Sequence, residues 1–257
     1  MMSNILSRAN RDILEQFSWS NVLLAFDYDG TLAPIVSNPK RAPMRERTRE
    51  LLRTLTRLYP VAIISGRAQA DALKQLGRIP VQQVIGNHGL EPWHASPRLS
   101  REVKRWLPLL EEWFAPLSGV RIEDKTFSVA IHYRHSREKK KARAAIAKAV
   151  RSLGDVRVIG GKQVVNLVPN GVPHKGIALE RERARLGCDT AIYVGDDETD
   201  EDVFRLDQPG RLLGIRVGRN LSSAAMYCIP GQAAIDDLLR VLIESRRSSE
   251  SARRAAQ

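Results

Sequence analysis

The segment Val22-Leu23-Leu24-Ala25-Phe26 is an unbroken apolar run that ends on Asp27. A run this short, bounded by a carboxylate, reads as a strand buried on both faces, and such strands belong to parallel sheets covered by helices. The same grammar recurs. Residues 61–64 and 81–85 are further buried strands, with helical periodicity over 45–58 and over 68–76, where Gly77 supplies the stop. It resumes after residue 174, with a helix over 175–186, a strand over 191–194, a helix over 200–206, a strand over 213–217 and a final helix over 233–245. A leading helix is predicted over 4–17. Strands alternating with helices predict a parallel α/β sheet with helices on both faces, which places ligands at the carboxyl ends of its strands.

From about residue 100 to 168 the pattern differs: a helix over 101–114, a strand pair across 120–133, a basic helix over 137–151 and a strand over 163–167. Consecutive strands joined by a short turn are antiparallel, so this stretch predicts an inserted α+β unit. The expected division is a discontinuous core of residues 1–98 and 169–245, an inserted cap of residues 99–168, and a disordered basic tail over 246–257. The tail carries Arg246, Arg247, Arg253 and Arg254 among Ser and Ala and offers little apolar surface to bury.

No apolar run approaches the ~20 residues of a membrane span, so no membrane partner is expected. Cys188 and Cys228 stand alone, without metal-ligand spacing, and the first residues lack a secretory pattern, so the cytoplasm is the expected compartment. The net charge of +12 raises the question of a polyanionic partner. In the basic helix, however, alanines at helical spacing separate the lysines and arginines, which reads as one solvated face; nucleic acid is not expected, and a monomer is.

Asp27-Tyr28-Asp29-Gly30-Thr31 delivers two carboxylates to the end of the first buried strand. Mutually repelling acids call for a cation, and a divalent ion with oxygen ligands is the usual one. A calcium loop is ruled out because its twelfth position would be Asn38 rather than a bidentate Glu. At a second strand end, Gly195-Asp196-Asp197-Glu198-Thr199-Asp200-Glu201-Asp202 concentrates acids behind a glycine elbow, again pointing to metal binding. Ser65 follows a strand where its hydroxyl and neighbouring N–H groups suit an anion, and Lys175 opens a helix with its ammonium able to reach back to the strand ends.

In their order and context these four pieces resemble the motifs of the haloacid-dehalogenase-like (HAD) phosphohydrolase superfamily, which implies a Rossmann-like core with an inserted cap. By that resemblance Asp27 is similar to the nucleophile that takes the phosphoryl group, and Asp29 to the general acid and later base. Ser65 and Lys175 look like the phosphate-holding pair. The resemblance implies Mg²⁺ held by the Asp27 carboxylate, the Asp29 carbonyl and Asp196, with Asp197 and Asp200 in support. The Asp29 role requires a carboxyl protonated near neutral pH, through burial or the neighbouring acid.

The inserted unit resembles the cap of trehalose-6-phosphate phosphatases. The matching stretches are Gly86-Asn87-His88-Gly89-Leu90-Glu91, Glu123-Asp124-Lys125, His132-Tyr133-Arg134 and Gly161-Lys162. The resemblance implies a small sugar-phosphate substrate, with Gly66, Arg67, Asn87, His88, Glu123, Lys125, His132, Arg134 and Asn166 as its contacts. Asn166 stands where that family usually carries Glu. Glucosylglycerol phosphate, glucosylglycerate phosphate and sucrose phosphate therefore stay open beside trehalose 6-phosphate. So does a nucleotide, since Trp93, Trp106 and Trp113 flank or enter the cap and could stack on a base.

Overall fold

The computed structural model of the chain describes residues 2–36, 43–161, 163–206 and 208–255, with side chains as far as residue 249. In chain order the first elements are β1 (Ser3–Asn4), α1 (Arg11–Trp19), β2 (Val22–Phe26), α2 (Glu46–Leu55), β3 (Val61–Ile64), α3 (Gln69–Leu76) and β4 (Gln83–Ile85). The central stretch gives α4 (Pro97–Phe114), β5 (Arg121–Asp124), β6 (Val129–His132), α5 (Lys139–Leu153), β7 (Val156–Gly161) and β8 (Val164–Pro169). The chain then returns through α6 (Lys175–Arg185), β9 (Thr190–Gly195), α7 (Glu201–Phe204), β10 (Leu212–Val217), β11 (Tyr227–Ile229) and α8 (Ile235–Ala255).

Seven strands pair in the order β1-β11-β10-β9-β2-β3-β4, and every pairing is parallel. All five residues of β2 are buried, because alternate side chains enter opposite layers. Leu24 and Phe26 pack with Leu52, Leu55 and Leu238 beneath α2 and α8, whereas Leu23 and Ala25 pack with Ala178 and Leu179 of α6. In register, Phe26 lies beside Ile63 and Val194, so β2, β3 and β9 end level and release Asp27, Ser65 and Asp196 at one edge.

The second sheet is antiparallel, in the order β5-β6-β8-β7. It is two-faced. Val129, Ile131 and Leu167 pack under α4 and α5 with Val103, Trp106, Leu110, Ala142 and Ile146. Period-two alternation therefore turns Ala130, His132 and Asn166 to the opposite face, which looks at the parallel sheet.

Several expectations are corrected. The leading helix over 4–17 is instead the short edge strand β1, a 3-10 turn over Arg8–Asn10 and the later helix α1; Ile5 is buried just after the strand rather than on a helical stripe. Strand β7, with its weakly alternating burial and two glycines, was not legible, nor was the three-residue β11. The helix over 200–206 is a 3-10 turn, Glu198–Asp200, followed by the single turn α7. The tail does not break off as a disordered segment, because α8 runs on to Ala255. Arg246 explains the start of that run: it donates to the carbonyls of Leu58, Ser18 and Ser20 and stacks over Tyr59 at 4.7 Å. Two positions singled out in the sequence, Asn38 and Lys162, lie outside the described residues.

Candidate active site

The site is assembled where β2, β3 and β9 end. Asp27 is buried, with its N–H donating to Val194 O at 2.9 Å, which fixes the carboxylate beside the acidic loop. Lys175, at the first position of α6 and 1 % exposed, reaches back to the strand ends. Its Nζ lies 3.1 Å from Asp27 Oδ1 and donates to Asp200 Oδ1 at 2.8 Å. Burial alone would lower its pKa, but Asp200 and Asp27 outweigh that and raise it, so the ammonium is charged near neutral pH. Burial pushes the Asp27 carboxyl well up, against the pull of Lys175 and with Asp200 and Asp196 adding repulsion.

Asp27, Asp196 and Asp200 each present an oxygen within 4.8 Å of the others. Asp196 is pushed up to about 7, by burial first and then by Asp200 and Asp197. Three clustered acids with one ammonium leave charge uncompensated, and an all-oxygen donor set suits a hard divalent cation. The residues fit such an ion. Within the trio Asp200 is fully engaged: Lys175 and the Tyr193 hydroxyl, at 2.6 Å, share Oδ1, and the Asp197 N–H donates to Oδ2 at 2.8 Å. Asp200 therefore organises the loop, leaving Asp27 and Asp196 as the carboxylates open to a cation. The Asp197 side chain lies outside the trio and caps the 3-10 turn, in a reciprocal capping box with Asp200.

Two glycines permit this crowding. A Cβ on Gly30 would sit 2.1 Å from Asp196 Oδ2, and its φ of +86° is one that other residues rarely adopt. Gly195 would bring a Cβ to 2.2 Å from Asp200 Cγ. Gly30→Ala is expected to cost about 1–3 kcal/mol in backbone strain and to push Asp196 out of the cluster. Thermal melting with and without a divalent cation checks this, since the variant should lose most of the cation-dependent rise in Tm.

Asp29 is placed differently from expectation. Its carboxylate is not buried, being 37 % exposed, and both oxygens are taken by Arg67, from Nε and Nη2 at 2.6 Å each. The same guanidinium donates from Nη1 to Asp71 at 2.6 Å. Ser65 is fully buried at the end of β3, and its Oγ accepts from the Arg67 N–H at 3.2 Å.

The remaining residues line the face between the two sheets. Lys125 Nζ donates to Gly66 O at 3.0 Å and to Asn166 Oδ1 at 3.2 Å, and burial lowers its pKa. Asn87 donates to Lys125 O and to Glu91, and accepts from the Ser128 hydroxyl at 2.6 Å. His132 Nε2 lies 2.6 Å from Glu123 Oε2, and that bond holds the Glu123 carboxyl down to about 2. A depressed carboxyl contributes stability above its ordinary range near pH 4.5 and loses it as the pH falls through about 2. Glu123→Gln should accordingly destabilise at pH 7 and leave stability unchanged at pH 2, as read by urea unfolding at the two values.

Arg134 donates to Val36 O at 3.3 Å, across the gap to the loop after Asp29. His88 is buried, and burial, then Lys125 and Lys175, push its pKa well down, against an opposing contact with Asn166, which keeps the ring neutral. The tryptophans offer no free stacking surface inside the cleft: Trp106 is buried in the cap core, Trp113 packs against it, and Trp93 is covered by Arg181 at 4.7 Å.

Sequence reasoning missed Tyr193, Thr31 and Arg216. Thr31 donates to Asp196 at 3.2 Å, and Arg216 donates to Asp196 O, Asp197 O and Glu201 Oε1, holding the acidic loop from behind. For Arg216 a signal existed, since a lone arginine interrupts the apolar strand Leu212–Val217. Tyr193, inside a buried strand, carried none.

Comparison with known proteins gives one consistent answer. Residues 25–223 match the family model described as trehalose-phosphatase. A maize protein named trehalose 6-phosphate phosphatase RA3 is 30 % identical over 255 residues, covering 88 % of this chain and 70 % of its own. An Arabidopsis thaliana protein, probable trehalose-phosphate phosphatase D, is 29 % identical over 264 residues, covering 93 % and 71 %. Among solved structures, the C-terminal domain of trehalose-6-phosphate phosphatase from C. albicans superposes with a TM-score of 0.78 at 24 % identity, covering 95 % of this chain and 98 % of that one. The fold is that of the HAD phosphatases.

Proposed function

The chain belongs to the trehalose-phosphatase family and is a phosphoric monoester hydrolase; from that premise we propose that it removes the phosphate of trehalose 6-phosphate, with Asp27 as nucleophile and Mg²⁺ as cofactor. The observation that carries this reading is the contact of Asp27 with Lys175 inside the Asp27, Asp196 and Asp200 cluster. A carboxylate, an immobile ammonium and a cation site at one strand edge suit phosphoryl transfer, where positioning and charge stabilisation dominate.

In the first step an Asp27 oxygen forms a bond to phosphorus while the bond to the sugar oxygen breaks, and that oxygen takes a proton from Asp29. Water then attacks the aspartyl-phosphate, giving its proton to Asp29, and the acyl phosphate P–O bond breaks to release phosphate and free Asp27. Asp29 acts only after turning away from Arg67. Lys175 and the Ser65 hydroxyl hold the phosphoryl oxygens. Asp27, Asp196 and the Asp29 carbonyl, with Asp200 and Asp197 in support, would hold Mg²⁺, which would supply charge neutralisation. Residues 99–168 act as the cap, closing over the core edge and excluding water.

A neutral disaccharide as leaving group accords with charges that are already engaged within the protein: Arg67 with Asp29 and Asp71, Glu123 with His132, and Lys125 with the oxygens of Gly66 and Asn166. His88, Asn166, Glu123 and Lys125 supply donors and acceptors suited to sugar hydroxyls. Asn166 keeps a hydrogen bond to Lys125, so loss of the family's acid leaves that lysine in place.

The test is phosphate release from trehalose 6-phosphate beside sucrose phosphate, glucosylglycerol phosphate, glucosylglycerate phosphate and nucleotide monophosphates, with Mg²⁺ and with chelator. Preference for trehalose 6-phosphate, abolished by chelator, is expected. Equal turnover of all esters would overturn the substrate assignment, and chelator-resistant turnover the metal. Within the cap, Glu123→Ala should raise KM for trehalose 6-phosphate about tenfold, as expected for a lost hydrogen bond to a charged group, and leave KM for an aryl phosphate unchanged.

A further inference from the structure

The net charge of +12 is not spread evenly. Residues 97–153 hold fourteen Lys and Arg against six Asp and Glu, so two thirds of the excess lies in that stretch. Most of it sits on the outside of α4 and α5, which lie side by side on the face of the antiparallel sheet turned away from the catalytic cleft. Exposed cations on α4 are Arg98, Arg101, Lys104 and Arg105. On α5 they are Lys139, Lys140, Arg143, Lys148 and Arg151, with no acid anywhere in the helix.

The contrast with the rest of the molecule is informative. Helices α1, α2, α6 and α8 set arginines one turn from an acid, as in Arg11–Glu15, Arg49–Glu46, Arg185–Glu182 and Arg240–Asp237. On the cap helices the single such pair is Lys141–Glu138, and among the described residues none of the nine cations named above lies in an ion pair. Lys139 and Arg143, or Arg101 and Arg105, are like charges four residues apart, a spacing at which they repel. Helix α4 also carries Glu102, Glu111 and Glu112, yet the two helices together hold ten Lys and Arg against these three acids; a face with so large an excess of one sign is built to meet the opposite sign.

From this arrangement we propose that the outer face of α4 and α5 is a docking surface for an anionic lipid membrane, holding the enzyme peripherally with its cleft turned to the solution. The apolar stripes of both helices are used up in the cap core, so attachment is by charge, without insertion. The face is broad, made of two adjacent helices, and its exposed non-charged residues are not aromatic, among them Pro108, Ala144, Ala147, Ser152 and the 42 % exposed Leu109. It shows no exposed aromatic ring on which a nucleobase could stack, since Trp106 and Phe114 are buried and Trp113 is half-buried. Long Lys and Arg stems can spread over a plane of headgroups, each cation adding to the attraction within a Debye length. The proposal stands on the fold alone and holds whichever ester the cleft hydrolyses.

The test is co-sedimentation of the full chain with vesicles of phosphatidylcholine carrying about 30 % phosphatidylserine, beside pure phosphatidylcholine, at about 50 and about 200 mM salt, a range over which screening weakens charge-driven attachment. Binding at least about tenfold stronger to the anionic vesicles, and lost at the higher salt, is expected. The triple variant K139E/K140E/R143E should lose that binding while keeping phosphatase activity and Tm, since these side chains touch neither core nor cleft. No sedimentation with anionic vesicles at low salt, equal sedimentation with both kinds, or undiminished binding of the triple variant would overturn the proposal. So would displacement from the vesicles by duplex DNA at equal phosphate concentration, which would assign the face to nucleic acid instead. Should the triple variant unfold, single Lys148→Glu and Arg101→Glu variants each reduce binding if the proposal holds and leave it unchanged if it fails.

Discussion

Asp27→Asn should abolish phosphate release, by about 10³-fold or more in kcat, while the protein stays folded and still binds its substrate. The change is nearly isosteric at a side chain with almost no room to move. It removes the nucleophilic charge and one cation ligand together, yet the amide can still meet Lys175 Nζ through its oxygen. Rapid-quench measurement with ³²P-labelled substrate separates the roles: the parent should show acid-stable labelling of the protein, and the variant none. A variant retaining a tenth of parental turnover would exclude Asp27 as nucleophile.

Lys175→Met should have the other large effect, and on two readouts at once. The methionine fills the volume but leaves Asp27 and Asp200 without their buried cation. Removing one partner of a buried pair typically costs about 3–5 kcal/mol, because the remaining charge is stranded away from water. The Tyr193 hydroxyl and the Asp197 N–H would still hold Asp200, which limits the damage to the loop. Turnover should fall about 10²- to 10³-fold, the scale of losing one charge-stabilising group in the transition state. Added Mg²⁺ should restore part of the lost stability in urea titrations, since it neutralises the same acids, but little of the turnover. Full recovery of kcat with metal would show that Lys175 serves only to hold the cluster together.

The core of the site was legible because its residues sit immediately after apolar runs. Val22–Phe26, Val61–Ile64 and the strand ending at Gly195 announce themselves by continuous hydrophobicity, and register then brings Asp27, Ser65 and Asp196 to one edge. What was not legible depends on tertiary partners. Asp29 was expected as a buried acid, but the structure gives both of its oxygens to Arg67, a pairing across 38 residues that no local pattern encodes. Tyr193 supports Asp200 from inside a strand whose sequence shows only burial. The continuation of α8 escaped for a similar reason: a Ser- and Arg-rich segment lacks an apolar stripe, and its anchorage comes instead from Arg246 donating to carbonyls at the ends of other elements. Strand β7 was hidden because its residues are half-buried without clear alternation.

Most of the described bonds that join the cap to the core share one property. Lys125 donates to Gly66 O, Arg134 to Val36 O, Arg157 to Pro173 O and Asn87 to Lys125 O, so in these four the acceptor is main chain, and the Ser128 hydroxyl, which donates to Asn87 Oδ1, is the exception. A carbonyl survives any change of the side chain that bears it. Lineages could therefore alter residues 36, 66 and 173 without unfastening the lid, and a lid from a relative would find the same acceptors waiting. Recombination at the two crossings, by nature or by design, becomes a route to new sugar preferences over an unaltered catalytic floor.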